Sequence, residues 1–269
     1  MSEWITPKPV RAAFFDADGT LLSFATHEVP ESAVRALTLL RTSGVRTFLC
    51  TGRSPSLLDD VPLELFDACL TMSGQYCYIA GEDGAEDDVF LSRPIDRQDM
   101  EVIASQVEEG LYECLFMEPH RSYLSGHDAL VDAAMKAAKM DPPHGEASWA
   151  LESNVYQLNV FVPPEREDVI LSKTHNLKLT RWSPNFADAM PADGGKAAGV
   201  AAALDRFGFT PDEAVAFGDG GNDAEMFAAV GTSIAMGNAA DAVKALTTYA
   251  TDSVDEDGIL NACKRLGLL

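Results

Sequence analysis

The chain alternates short unbroken apolar runs with stretches in which apolar residues recur at helical spacing, and most of the runs stop at a polar turn. Ala12 to Phe15 is such a run, ending at Asp16. A short continuous apolar segment closed by turn residues is the pattern of a strand buried on both faces, as in a parallel sheet. A helix is predicted from Pro30 and Glu31 through Val34, Leu37 and Leu40 to Gly44, a residue that accepts the left-handed conformation after a helix end. Val45 to Cys50 reads as the next strand, and its closing turn, Thr51-Gly52-Arg53-Ser54, precedes a further helix. Ala68 to Met72 reads as a third strand ending at Ser73-Gly74-Gln75, with Tyr76 to Ala80 as a hairpin partner. Strand, helix, strand, helix, strand is the order of a doubly wound α/β sheet.

The texture changes after Gly81, where an acidic stretch through Asp88 marks a boundary. Strand patterns follow near Val89 to Ser92, Leu111 to Met117, Arg121 to Leu124, Val155 to Val162 and Lys178 to Trp182. Helical periodicity fills Asp96 to Glu109, Ala129 to Met140 and Glu165 to Thr174 between them. From Pro191 the first pattern resumes, with a helix Lys196 to Phe207, a strand Ala214 to Phe217, a helix through Met226 and Val230 and a strand Ser233 to Met236. Helices Ala239 to Thr247 and Gly258 to Leu266 complete the chain. The expectation is one doubly wound core made of residues 1–81 and 186–269, interrupted by an inserted α+β domain at 82–185.

Composition narrows the class. The 269 residues, 46% hydrophobic and 23% charged, suit a soluble globular enzyme. No apolar run approaches the roughly 18 residues that cross a bilayer, and Met1-Ser2-Glu3-Trp4 lacks the basic flank and apolar core of a secretion signal, so a cytoplasmic location away from membranes is expected. The five cysteines are odd in number and widely spaced, which points to buried thiols. A net charge of −22 argues against nucleic acid as a partner. It leaves room for a small phosphorylated substrate if a metal ion and local cations overturn the repulsive field.

The candidate chemistry lies where strands end. Asp16 and Asp18, Thr51-Gly52-Arg53, and Asp219 with Asn222 and Asp223 each follow a predicted buried strand, and Lys196 opens a helix. In open α/β sheets the carboxyl ends of the strands form the ligand crevice. Any one cluster has a structural explanation, Asp223 as a helix cap for example; four in one order on one sheet edge do not read as solvated loops.

In this set the chain resembles the haloacid dehalogenase superfamily of phosphatases, and within it the Cof-type, sugar-phosphatase-like group, whose α/β cap is inserted between the second and third motifs. Asp16-x-Asp18-Gly19-Thr20 is similar to the first motif, Thr51-Gly52-Arg53 to the second, Lys196 to the third and Gly218-Asp219-Gly220-Gly221-Asn222-Asp223 to the fourth. The likeness extends through Glu225-Met226, Ala235 to Ala239 and Glu256-Asp257-Gly258; Ser73-Gly74-Gln75 stands where the group has Asn-Gly-Ala, and Asp188 where it has Glu.

The resemblance implies a Rossmann-like core with an inserted cap and hydrolysis of a small phosphorylated metabolite, a sugar phosphate or a cofactor phosphate. Asp16 would be the nucleophile and carry an aspartyl-phosphate, Asp18 the general acid and base, and Lys196 a charge-neutralising catalytic group. Thr51, Gly52 and Asn222 would bind the phosphoryl oxygens. Asp16, the main-chain carbonyl of Asp18, and Asp219 would hold Mg²⁺, a hard ion suited to an all-oxygen set, with Asp223 orienting Lys196 or a metal-bound water. Substrate selectors in the cap are expected among His120, Arg121, Arg181 and Trp182, in a monomer or homodimer. A phosphotransferase such as a sugar-phosphate mutase shares the chemistry, and a phospho-acceptor module shares the aspartate and the ion; Asp18 disfavours the latter because it would shorten the life of the acyl phosphate.

Overall fold

The structure, a computed structural model, describes residues 4–81, 86–181 and 183–269. In chain order it forms β1 (Ala12–Phe15), α1 (Glu31–Thr42), β2 (Arg46–Cys50), β3 (Ala68–Thr71), β4 (Tyr76–Ala80) and β5 (Glu86–Ser92). Then come α2 (Arg97–Glu108), β6 (Glu113–Met117), β7 (Ser122–Leu124), α3 (Ala129–Ala138), β8 (Gln157–Phe161), α4 (Asp168–Leu171), β9 (Leu177–Thr180) and β10 (Ala187–Pro191). The chain closes with α5 (Lys196–Phe207), β11 (Ala214–Gly218), α6 (Ala224–Ala228), β12 (Thr232–Ala235), α7 (Asp241–Lys244), β13 (Tyr249–Ala250) and α8 (Gly258–Arg265). Among the described residues no helix is long and apolar enough to cross a membrane.

Two compact units result. A core unit takes Met1–Gly52, Leu58–Ser92 and Lys196–Leu269, and an inserted unit takes Arg53–Leu57 and Arg93–Gly195. The junctions fall after Ser92 and Gly195, beyond the expected residues 81 and 185, for reasons of strand pairing. The acidic stretch after Gly81 does not end the core: β5 pairs antiparallel with β4 and forms the edge of the core sheet. At the other junction, Ala187–Pro191 joins the sheet of the inserted unit as β10. Its Asp188 and Pro191 hide a strand from a search for apolar runs.

The core sheet runs β13-β12-β11-β1-β2-β3-β4-β5. It is parallel from β13 to β3, and β4 and β5 turn back antiparallel. β1 lies at its centre with all four side chains buried, as its unbroken apolar sequence requires. Phe14 stacks on Phe48 at 4.7 Å and Phe15 on Phe217 at 4.8 Å, tying β1 to both neighbours. Each such aromatic pair is worth about 0.5–1.5 kcal/mol beyond its buried area. Val200, Ala203 and Leu204 of α5 with Met226 and Phe227 of α6 cover one face of the sheet. The helix expected after Thr51 does not form; two short 3₁₀ turns, Pro55–Leu57 and Leu63–Leu65, replace it. Pro55 and Pro62 break up that stretch, each lacking an amide hydrogen to donate.

The inserted unit is an antiparallel sheet, β7-β6-β8-β10-β9. One of its faces packs Cys114, Phe116, Tyr123, Leu158, Val160, Ala187 and Ala189 into a core with Met100 and Ile103 of α2 and with Ile170. Strand alternation places Asn159 and Asp188 on the other face, directly opposite one another, where the Asn159 amide donates to Asp188 at 2.5 Å.

Candidate active site

Strand register brings the motif residues together. Phe15 is level with Phe217 on β11 and with Leu49 on β2, so Asp16, Asp219 and Thr51 stand just past the carboxyl ends of three adjacent strands. Lys196, the first residue of α5, reaches into the same place. Its Nζ lies 2.5 Å from Asp16 Oδ1 and 2.6 Å from Asp223 Oδ1. The ammonium is 1% exposed, and Asp16 and Asp223 are buried with it.

Asp223 holds the geometry. While Oδ1 accepts from Lys196, Oδ2 accepts from the amides of Asp219 at 3.0 Å and Gly220 at 2.9 Å. It thus closes the turn after β11 and aims the lysine. A side chain on Gly218 would collide with its carboxylate, with Cγ at 2.5 Å from the added carbon. On the facing turn, Gly19 has φ +78°, a left-handed conformation that favours glycine, and an added Cβ would strike Asp219 Oδ2. The Asp219 carboxylate therefore occupies the space that a side chain at position 19 would need.

Electrostatically the site is over-supplied with carboxylates. Burial, the nearby charges of Asp223, Asp219 and Asp18, and only partial relief from Lys196 leave Asp16 well above the usual carboxylate range. Burial and Asp223 push Asp219 from its usual 3.8 up to about 7. Burial alone would push Lys196 down, but Asp16 and Asp223 outweigh it and hold the ammonium protonated. One cation cannot neutralise this cluster. Carboxylate oxygens of Asp16, Asp219 and Asp223 lie within 4.8 Å of one another, the spacing of ligands around a single ion. Since Asp223 is already committed to Lys196 and two amides, Asp16 and Asp219 are the carboxylates left to a hard divalent cation. The residues present fit Mg²⁺.

The structure adds two residues to which the sequence reading assigned no role. Thr20 Oγ1 donates to Asp219 Oδ1 at 3.4 Å. Asn238 Nδ2 donates both to Gly19 O at 2.8 Å and to Asp219 Oδ2 at 3.2 Å, while its Oδ1 accepts from the Val254 amide at 3.1 Å. Asn238 thereby ties the first acidic turn to the second. It follows the buried strand β12, so the rule that singled out Asp16 and Asp219 also points to it.

Among the other expected residues, Asp18, Thr51, Gly52 and Asn222 belong to the core unit with Asp16, Lys196, Asp219 and Asp223. The Thr51 amide donates to Leu70 O and its carbonyl accepts from Ser73, fixing the turn between β2 and β3. Arg53 belongs to the inserted unit. So do His120, Arg121 and Arg181, the last of them held by several partners. Its guanidinium is bound to Glu167 at 2.7 Å and to the carbonyls of Val162, Ser183, Pro184 and Phe186, which makes it a staple of its own loop. Trp182 lies outside the described residues.

Comparison with known proteins agrees with this geometry. The family model of haloacid dehalogenase-like hydrolases matches residues 13–263. YkrA of Bacillus subtilis (strain 168), named as a candidate phosphatase, is 30% identical over 95% of this chain and 97% of its own length. The solved structure of the subclass IIB sugar phosphatase BT4131 superposes with a TM-score of 0.86, at 30% identity, over 97% of this chain and 100% of that one. YwtE of the same Bacillus strain, a 5-amino-6-(5-phospho-D-ribitylamino)uracil phosphatase, is 27% identical over 91% of this chain and 93% of its length. A match that takes in both acidic turns, the lysine and the insertion between them places the chain in the haloacid dehalogenase-like hydrolases, in their Cof-type group.

Proposed function

We propose that the protein is a Mg²⁺-dependent phosphatase that hydrolyses a small phosphorylated metabolite, a sugar phosphate or a cofactor phosphate, through a phosphoryl group carried on Asp16. The observation that carries this reading is a buried carboxylate at a strand end, held by a buried lysine, with a second carboxylate in reach for a metal ion. One oxygen of Asp16 attacks phosphorus in line as the bond to the leaving oxygen breaks, and Asp18 gives that oxygen a proton. Asp18 then takes a proton from water, whose oxygen attacks phosphorus and breaks the bond to Asp16, releasing phosphate and restoring both residues. Lys196 neutralises charge on the transferring group, and Thr51, the Gly52 amide and Asn222 hydrogen-bond its oxygens. Asp16, Asp219 and the Asp18 carbonyl would hold Mg²⁺, which supplies positive charge to the phosphoryl oxygens when bound.

The test is hydrolysis of nitrophenyl phosphate and of a panel spanning sugar phosphates, pyridoxal phosphate and FMN. Activity is expected to vanish in EDTA and return with Mg²⁺. Asp16→Asn, an amide in place of the nucleophile, is expected to lose turnover and acid-stable phosphoenzyme together. Near-wild-type hydrolysis by Asp16→Asn would remove the covalent route, and full activity after exhaustive chelation would remove the metal.

A further inference from the structure

Asn238 stands on a turn of the core unit that is fixed from several sides. β12 ends at Ala235, and beyond it the Met236 amide donates to Gly218 O at 2.9 Å, the Gly237 amide to Asp252 O at 2.9 Å and the Ala239 amide to Met236 O at 3.0 Å. Lys244 Nζ donates to Gly237 O at 2.7 Å. A Cβ at position 237 would lie 2.5 Å from the Ser253 amide nitrogen, so glycine is what lets the turn press against the segment after β13. That segment is itself closed, with the Gly258 amide donating to Ser253 O at 3.0 Å and Thr251 Oγ1 to Gly258 O at 2.7 Å. The Asn238 side chain, exposed though it is, therefore springs from a pinned backbone.

Its carboxamide is fully used. Nδ2 has two hydrogens and directs them to Gly19 O at 2.8 Å and Asp219 Oδ2 at 3.2 Å, while Oδ1 accepts from the Val254 amide at 3.1 Å. The arrangement has only one sense. A peptide N–H can only donate and a peptide carbonyl can only accept, so the oxygen faces Val254 and the nitrogen faces the two acidic turns. Closing the loop requires Gly19 and Val254 alone; the bond to Asp219 is the one that such a staple does not need.

Asp219 receives one neutral donor on each oxygen, Thr20 Oγ1 on Oδ1 at 3.4 Å and Asn238 on Oδ2. A carboxylate oxygen offers about two lone-pair directions, so these donors orient the group and still leave both oxygens able to meet a cation. Asp223 is the contrast, its oxygens taken by an ammonium and two peptide amides. Groups that hydrogen-bond to a metal ligand fix its orientation, and losing one typically costs about 10- to 100-fold in metal affinity or activity. The bond to Gly19 O acts from the other side, on the turn that carries Asp18. Resting on the reading of Asp16, Asp219 and the Asp18 carbonyl as ligands of Mg²⁺, we propose that Asn238 is a positioning residue that sets how tightly the site holds the ion, by fixing the Asp219 carboxylate and the Gly19 backbone in advance.

The experiment titrates Mg²⁺ alone into the wild type, Asn238→Ala, Asn238→Ser and Lys244→Met by calorimetry, and records the Tm of each in EDTA. Asn238→Ala is expected to raise the Kd for Mg²⁺ by about 10- to 100-fold. Hydrolysis of nitrophenyl phosphate should then need Mg²⁺ raised by the same factor, with lost activity returning as the ion is added. Asn238→Ser keeps one shorter donor and is expected to fall between, and it carries the comparison if Asn238→Ala does not fold. Lys244→Met loosens the same turn but leaves both donors to Asp219 in place, so it is expected to lower Tm and keep the wild-type Kd. An unchanged Kd in the Asn238 variants overturns the inference. So does a loss of affinity in Lys244→Met as large as theirs, because stability of the turn would then be the cause. A wild type that binds no Mg²⁺ and is active in EDTA would instead bring down the metal reading, and this inference with it.

Discussion

Asp16 and Asp18 are two residues apart and carry the same functional group, yet the structure gives them different surroundings. Asp16 is buried against Lys196, as suits a nucleophile held in one orientation, whereas Asp18 is only partly buried at the mouth of the turn. A general acid matters most when the leaving group is a strong base. Asp18→Asn is therefore expected to slow single-turnover release of a sugar alkoxide by about 10²- to 10⁴-fold. Release of nitrophenolate, which needs no proton, should fall far less. Both are measured as the leaving-group burst with phosphoenzyme trapped in acid, and equal losses would reduce Asp18 to a positioning role. At this scale the sequence was informative wherever a polar residue followed an apolar run, because backbone topology alone sends such residues to one edge. It pointed to Asn238, which follows β12, without giving it a task, because that task depends on Gly19 and Asp219 arriving from distant parts of the chain. Nor did it show that Arg181, a cation at a strand end, is held by the carbonyls of Phe186 and Val162.

The elements that carry the site are positioned from their opposite ends. Just before β11, Glu213 accepts from the amide and the hydroxyl of Thr210, both at 2.9 Å, and from Arg11 at 3.2 Å, next to the start of β1. The bond to the Thr210 amide first, then its hydroxyl and Arg11, draw the carboxyl down from 4.5 to about 2. A carboxylate with a depressed folded value adds stability that is complete above its ordinary value and is lost as pH falls toward the folded one. The gap in Tm between wild type and Glu213→Gln should thus be open at neutral pH and close as pH drops from 4.5 to about 2. A gap that persists at the acid end would mean that Glu213 acts by packing alone. Elements with strong patterns, such as β1 and α5, were legible because burial on both faces or on one stripe dictates their composition. β10 was not, since Asp188 finds its partner in Asn159 across the ladder and needs no water. Nor was the stretch after Thr51, where helical spacing lost to two prolines and to serine hydroxyls bound to β7.

Across the whole molecule the five cysteines are all buried, and burial pushes the thiols of Cys50 and Cys263 up to about 12. Because the thiolate is the reactive form, the native enzyme is expected to leave Ellman's reagent uncoloured, and denaturant should release all five thiols; rapid labelling of the folded protein would contradict that burial. The division of the chain was legible as a core with an insertion, but not the way the second unit is threaded. Its main part is one continuous stretch, while Arg53–Leu57 comes from far earlier in the chain and is bonded to β7 through Ser54 and Ser122. That threading bears on how such a protein can be recombined. A graft that exchanged residues 93–195 alone would carry away a strand and leave its serine counterpart behind in the host. A transplant that keeps the inserted unit whole must move two pieces of sequence together, the shorter of them lying directly after Gly52. Genetic exchange at the two obvious seams would therefore yield a hybrid with a broken hydroxyl contact between Ser54 and Ser122, and inheritance of the inserted unit is bound to inheritance of residues 53–57.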